Sequence, residues 1–328
     1  MISTPTTHLL IQLGLLLGYL GAVSVGGYSL GKASDILLGR LQARIIGGVL
    51  LGFAATLPEY LFALISTFEH RNDVALGSAF GGNIFLFTLL FGLLFLDRRS
   101  SHTLYKGLKF DFGVLGLSTL IILFGFSQNT LSVYLGLILV LIYALFIGYT
   151  AKAKNSLEHA EGIPLSVGSK LKALVYFGVG LALTAAFVHP LVDQVVVFSH
   201  AVGVPPVITS FTLVPAGDEL PELVAMFTLL RSNHSSNTDE HGFQTAYASL
   251  VGSKVQSNTL LIGTIVMVAS MLGTPIAADR YSLFTLYAMV ATTFMGMAAA
   301  PLRTRRSVGL LLIASYFIIV GVAVGVEI

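Results

Sequence analysis

Four acidic residues stand where a long apolar sequence should carry none. Glu59 closes the segment Gly52-Phe53-Ala54-Ala55-Thr56-Leu57-Pro58-Glu59, and Asp218, Glu219 and Glu222 lie in Pro215-Ala216-Gly217-Asp218-Glu219-Leu220-Pro221-Glu222. The two segments align at a constant offset and share Leu-Pro-Glu. A carboxylate inside a membrane span is costly and marks a functional site by default. Pro58 and Pro221 each precede a glutamate. Proline removes a backbone donor and leaves a carbonyl free one turn earlier. Free carbonyls beside a carboxylate make a hard oxygen site suited to Na⁺ or Ca²⁺. Glu59 and Glu222, one from each segment, are therefore expected to supply one cation pocket. The alternative is a pair of proline kinks whose glutamates snorkel to water, which their depth within the spans makes difficult.

A second echo follows downstream. Gly81-Gly82-Asn83-Ile84-Phe85-Leu86-Phe87-Thr88-Leu89-Leu90-Phe91-Gly92 matches Gly252-Ser253-Lys254-Val255-Gln256-Ser257-Asn258-Thr259-Leu260-Leu261-Ile262-Gly263. The glycines of these spans, with Gly77, suit close helix packing and would also let the proline-broken helices approach. Repeated broken segments in the two halves of a membrane protein point to a transporter's binding site.

The carboxylates are crowded. Asp218 and Glu222 are four residues apart, Glu219 and Glu222 three, so they can share a helix face. Such a cluster in a poorly hydrated site cannot remain fully ionised, which suits proton coupling. Lys254 offsets one charge. It either pairs with Asp218 or Glu219, as a built-in cation displaced by substrate, or faces an aqueous vestibule.

The surrounding chain is a membrane protein by composition. It is 55% hydrophobic and 10% charged, with a mean hydropathy of +0.86, against about 25% charged for a soluble domain. Ten apolar runs approach the length that spans a bilayer: 8–31, 45–68, 72–96, 108–127, 131–151, 171–199, 204–230, 244–272, 281–300 and 307–327. The first lacks the basic n-region and cleavage site of a signal peptide and reads as a helix. There is no cysteine, which excludes disulfides and thiol chemistry.

Five runs precede the polar stretch 152–170 and five follow it. An odd number of helices per half forces two similar halves into opposite orientations. The sequence thus predicts an all-α membrane protein of about ten transmembrane helices in two inverted five-helix repeats, 1–151 and 171–328, joined by a cytoplasmic linker. With the N-terminus outside, the inside loops hold 15 of the 18 Lys and Arg residues. The outside loops hold Arg71 and Arg280, and Lys254 lies within a span. This bias places both termini outside the cytoplasm, and a prokaryotic inner membrane is the expected location. The net charge of +2 reflects topology and gives no sign of nucleic-acid binding. The polar insert 232–242, with His234, Asp239, Glu240 and His241, reads as a solvated cytoplasmic loop, or else as a regulatory or metal-sensing one.

Paired Leu-Pro-Glu segments, each followed by a glycine-punctuated helix, resemble the two alpha repeats of the calcium/cation antiporter superfamily, which includes the sodium/calcium exchangers. On that resemblance the repeats cover about 45–95 and 204–268. It implies alternating access to a midplane cation site. Its first motif typically reads Gly-Thr-Ser-Leu-Pro-Glu and its second Gly-Ser-Asn-x-x-Asn or Asp. Glu59 and Glu222 carry over directly. The Thr-Ser pair is Ala55-Thr56 in one repeat and Asp218-Glu219 in the other. The second motif's serine is Gly82 and Ser253, its asparagine Asn83 and Lys254, and its closing position Leu86 and Ser257.

The ligand set so implied is Glu59, Glu222, Asp218, Glu219, Thr56, Ser253, Asn83 and Ser257, with Lys254 compensating charge. Oxygen ligands have been lost from the first repeat and carboxylates gained in the second, which marks a divergent member. The expected function is antiport of a cation, Ca²⁺ or another divalent first, against Na⁺ or H⁺, with no resident cofactor. The partners are inorganic cations and the lipid bilayer. H⁺-coupled monovalent antiport is the alternative. Channels usually build pores from symmetric oligomers. An intramembrane aspartyl protease would need Gly-x-Gly-Asp and a Tyr-Asp; the first glycine is Pro215 here, and no Tyr-Asp occurs.

Overall fold

The computed structural model describes residues 5–38, 56–96, 108–128, 131–155, 166–232, 239–274, 276, 278–301 and 306–325. Residues Gly52 to Ala55 of the first motif, the insert positions 233–238 and basic residues such as Arg40, Arg98 and Arg303 lie outside them.

Every regular element among the described residues is helical. We number them α1 (Pro5–Leu38), α2 (Leu57–Phe68), α3 (Asn72–Leu96), α4 (Lys109–Ser127), α5 (Val133–Asn155) and α6 (Val167–Val202). Then come α7 (Pro206–Asp218), α8 (Leu220–Ser232), α9 (239–271), α10 (Arg280–Ala299) and α11 (Arg306–Gly325). Seven of these, α1, α3, α4, α5, α6, α10 and α11, are long and apolar enough to cross a membrane. The rest complete the expected ten-span layout. α2 is the described part of the second span, α7 and α8 together make the broken seventh, and α9 is the eighth.

The repeat is written into the helical irregularities. Proline at the second position of α2 and of α8 cannot donate to the preceding turn. The residue just before each helix is Thr56 (φ −90°, ψ 4°) in one half and Glu219 (φ −88°, ψ −5°) in the other. Those residues occupy the same position in the two aligned segments. Inside α3 the ladder widens to a π-turn at Leu86–Leu90, and inside α9 at Ser257–Leu261, again at aligned positions. In each turn the equivalent threonine hydroxyl claims the carbonyl four residues back, Thr88 that of Ile84 and Thr259 that of Val255. Such back-bonding competes with the helical ladder, and single π-turns concentrate at functional sites.

Glycine pairs hold the halves together. A methyl group on Gly92 of α3 would lie 2.8 Å from the carbonyl oxygen of Gly309 on α11, and the reciprocal distance is 2.7 Å. The inverted counterpart is Gly263 of α9 against Gly136 of α5, at 2.9 and 2.6 Å. Each half thus sends its third span against the fifth span of the other, at a separation only glycine allows. Gly77 and Gly81 serve the broken helix: methyls there would lie 2.5 Å from the Val207 carbonyl oxygen and 2.3 Å from that of Phe211 on α7. Gly252 faces open space and serves no such crossing.

Burial sorts the helices into centre and rim. In α3, 83% of the span is buried, against 17% in α11, whose Leu311, Phe317 and Ile318 face outward as a lipid-facing helix requires. The long helices α1 and α6 lie side by side outside this core. The centre, α2, α3, α7, α8 and α9, carries the acidic residues.

Candidate cation site

Glu59 lies in the first turn of α2 and is 7% exposed. Ser257, at the start of the π-turn in α9, donates to Glu59 Oε1 at 3.0 Å. The bond joins the first half to the second. A second bond does the same: Gln256 Nε2 donates to Thr56 Oγ1 at 2.6 Å. A third runs the other way, with Ser78 of α3 donating to Asp218 Oδ2 at 3.4 Å. Within the second half, Ser253 donates to Glu222 Oε1 at 2.6 Å.

Lys254 is fully buried and makes an ion pair with Glu219, itself 3% exposed. The choice between Asp218 and Glu219 as its partner is thereby resolved, and the aqueous-vestibule alternative is ruled out. Space for the pair comes from the opposite helix. A methyl on Gly82 would lie 2.7 Å from Glu219 Oε1, 3.4 Å from Lys254 Nζ and 3.5 Å from Glu59 Oε1. The missing serine at Gly82 is therefore the space that lysine and glutamate use.

Asp218 and Glu222 engage different helices: Asp218 accepts from Ser78 on α3 and Glu222 from Ser253 on α9. One expectation needs correction. The carbonyl freed by Pro221 was expected to serve as a cation ligand. It belongs to Gly217, and Ser24 Oγ of α1 reaches it at 2.7 Å. That oxygen is occupied by the protein, as a buried backbone group requires.

Asn83 is buried, but its amide donates to Ala79 on its own helix at 3.0 Å and bonds none of the carboxylates. Thr56, Ser253 and Ser257 all join the cluster. Sequence reasoning passed over Ser78, Gln256 and Ser24. Gln256 was visible in principle, since it stands in the polar run Ser253 to Thr259 within an otherwise apolar span. Ser78 and Ser24 carry no local signal, because serine is common in apolar helices.

The arrangement offers acceptor oxygens that accept from no donor among the described residues: Asp218 Oδ1, Glu219 Oε2 and Glu222 Oε2, with Asn83 Oδ1 on α3 and Asn258 Oδ1 on α9. Buried acceptors without donors are what an entering cation satisfies. No three acidic or histidine side chains meet in a geometry ready to hold a metal ion among the described residues.

The sequence profile described as sodium/calcium exchanger protein matches residues 11–152 and 172–325. The chain belongs to the sodium/calcium exchanger family. It is thus a helical membrane protein of the cation antiporter superfamily, in two inverted repeats. CaxA of Alkalimonas amylolytica is 24% identical over 306 residues, 91% of each chain. Among solved structures, the H⁺/Ca²⁺ exchanger CAX superposes with a TM-score of 0.66 at 18% identity, covering 97% of this chain and 86% of that one. The sodium-calcium exchanger NCX_Mj gives 0.63 at 20% identity, covering 95% and 99%. These two likenesses concern the fold. The acidic cluster of this chain holds a buried lysine, Lys254, paired with Glu219.

Proposed function

We propose that this exchanger is a secondary active antiporter, moving a cation, Ca²⁺ or another divalent first, against H⁺ or Na⁺. Alternating access would operate at the pocket of Glu59, Asp218, Glu219 and Glu222, with Thr56, Ser253 and Ser257 as neutral ligands. The observation that carries this reading is the cross-repeat pinning of the acids: Ser257 holds Glu59, and Ser78 holds Asp218, each from the opposite half. A shift of one half against the other changes which donors satisfy which carboxylates. An entering cation can then substitute for the serine hydroxyls.

H⁺-coupled exchange of a monovalent cation is the second reading. The Lys254–Glu219 pair favours it, because one carboxylate already has a positive partner.

The positive-inside count supports both termini outside the cytoplasm. We further infer a prokaryotic inner-membrane location, and halves 1–151 and 171–328 joined by a cytoplasmic linker 152–170.

The protein reconstituted in liposomes should take up radiolabelled Ca²⁺ when an outward proton or Na⁺ gradient is imposed. In the second reading, added Na⁺ or K⁺ should dissipate a pH gradient instead. Failure of every cation gradient to drive another ion would sink both.

A further inference from the structure

The least expected group in the pocket is a positive one. Lys254 Nζ is sealed from solvent at 0% exposure, and its partner Glu219 retains 3%. Glu219 Oε2 accepts from no donor group among the described residues, and the carboxylate lies against that of Glu222. The pair does not sit at the margin of the cluster. The point that Gly82 leaves empty lies 2.7 Å from Glu219 Oε1, 3.4 Å from Lys254 Nζ and 3.5 Å from Glu59 Oε1. One small volume is therefore bordered by two carboxylates from opposite halves and an ammonium.

An ammonium is a compact point charge with three donors, close in size and charge to a bare monovalent cation. Its stem is anchored on α9, one residue from Ser253 and three from Ser257, which hold Glu222 and Glu59. It cannot leave with the cargo. Removing it while keeping Glu219 would leave a buried anion without compensation, a strongly unfavourable state.

We propose that Lys254 is a tethered cation that permanently fills one cation position of the pocket, with Glu219 as its dedicated counter-ion and Gly82 as the residue that makes room. The inference deepens the antiport reading and rests on it. Each conformation then binds one mobile positive charge fewer than its carboxylates could neutralise. The lysine is a fixed part of the site, and a free cation does not have to displace it.

The test counts bound ions. Full-length protein in lipid nanodiscs is equilibrated with radiolabelled Na⁺, and the number bound per chain is measured for wild type, Lys254→Met and the double variant Lys254→Met/Glu219→Gln. Loss of the ammonium alone should open one additional Na⁺ site, and the double variant, lacking the counter-ion as well, should not have it. An unchanged count in a folded Lys254→Met would overturn the proposal. If Lys254→Met does not fold, the double variant still decides, because removing both partners of a buried pair is tolerated far better than removing one. A tethered cation predicts the wild-type count there with no tightening. A tenfold gain in Na⁺ affinity would show that the lysine is a competitor which free cations must displace. Wild-type protein that bound neither Na⁺ nor Ca²⁺ would defeat the antiport reading itself, and the variants would not be needed to show it.

Discussion

Ser24 Oγ on α1 lies 2.7 Å from the carbonyl oxygen of Gly217, the acceptor that Pro221 cannot serve. The same hydroxyl lies 2.7 Å from Leu20 O on its own helix, so a single proton is shared between two carbonyls. The broken helix is thus closed by a neighbour from the other half and does not need a bound ion at that oxygen.

Ser24→Ala should leave the Gly217 carbonyl buried and unsatisfied, at a cost of about 1–3 kcal/mol. Thermal unfolding of the purified protein in detergent should show the loss, and cation should not restore it. Recovery of the wild-type melting temperature on adding Na⁺ or Ca²⁺ would mean that this carbonyl is a ligand after all.

Glu59 and Glu222 supply charge from the two halves, held by Ser257 and Ser253 respectively. Either glutamate changed to Gln should reduce gradient-driven flux to background in a protein that still elutes as a folded species. Ser257→Ala should be milder. A hydrogen bond to a charged group contributes about 1.5–3 kcal/mol, so a ten- to hundredfold change in apparent cation affinity is expected. Near-normal flux in Glu59→Gln would remove the central claim.

The two glycine crossings should be equally intolerant. Gly92→Ala would place its methyl 2.8 Å from the Gly309 carbonyl oxygen, and Gly136→Ala would place one 2.6 Å from that of Gly263. The halves must then separate at those points, at about 1–3 kcal/mol each as for overpacking generally. Gly252→Ala meets nothing and serves as the control. Equal melting temperatures for Gly92→Ala and Gly252→Ala would show that the crossing is looser than described.

Orientation is open to direct labelling, since the chain has no cysteine of its own. A single cysteine placed beside Arg305 should react with an impermeant maleimide only from the cytoplasmic side. Labelling from outside would invert the topology.

The spans, the inverted repeat and the proline-marked starts of α2 and α8 were all legible in the sequence. These depend on local chemistry: hydropathy over some 20 residues, and the missing donor of Pro58 and Pro221. The aligned π-turns follow the same logic in retrospect, since Thr88 and Thr259 hold matching places in the echoed segments. Tertiary structure decided how the charges were shared. That Lys254 pairs with Glu219, that Asp218 accepts from Ser78, and that Gln256 reaches Thr56 all depend on separate helices. Spacing along one helix could not foresee them, because each partner comes from another helix. Gly82 shows the division most plainly. In the sequence it is a lost serine; in the folded protein it is the gap beside which a lysine and two glutamates converge.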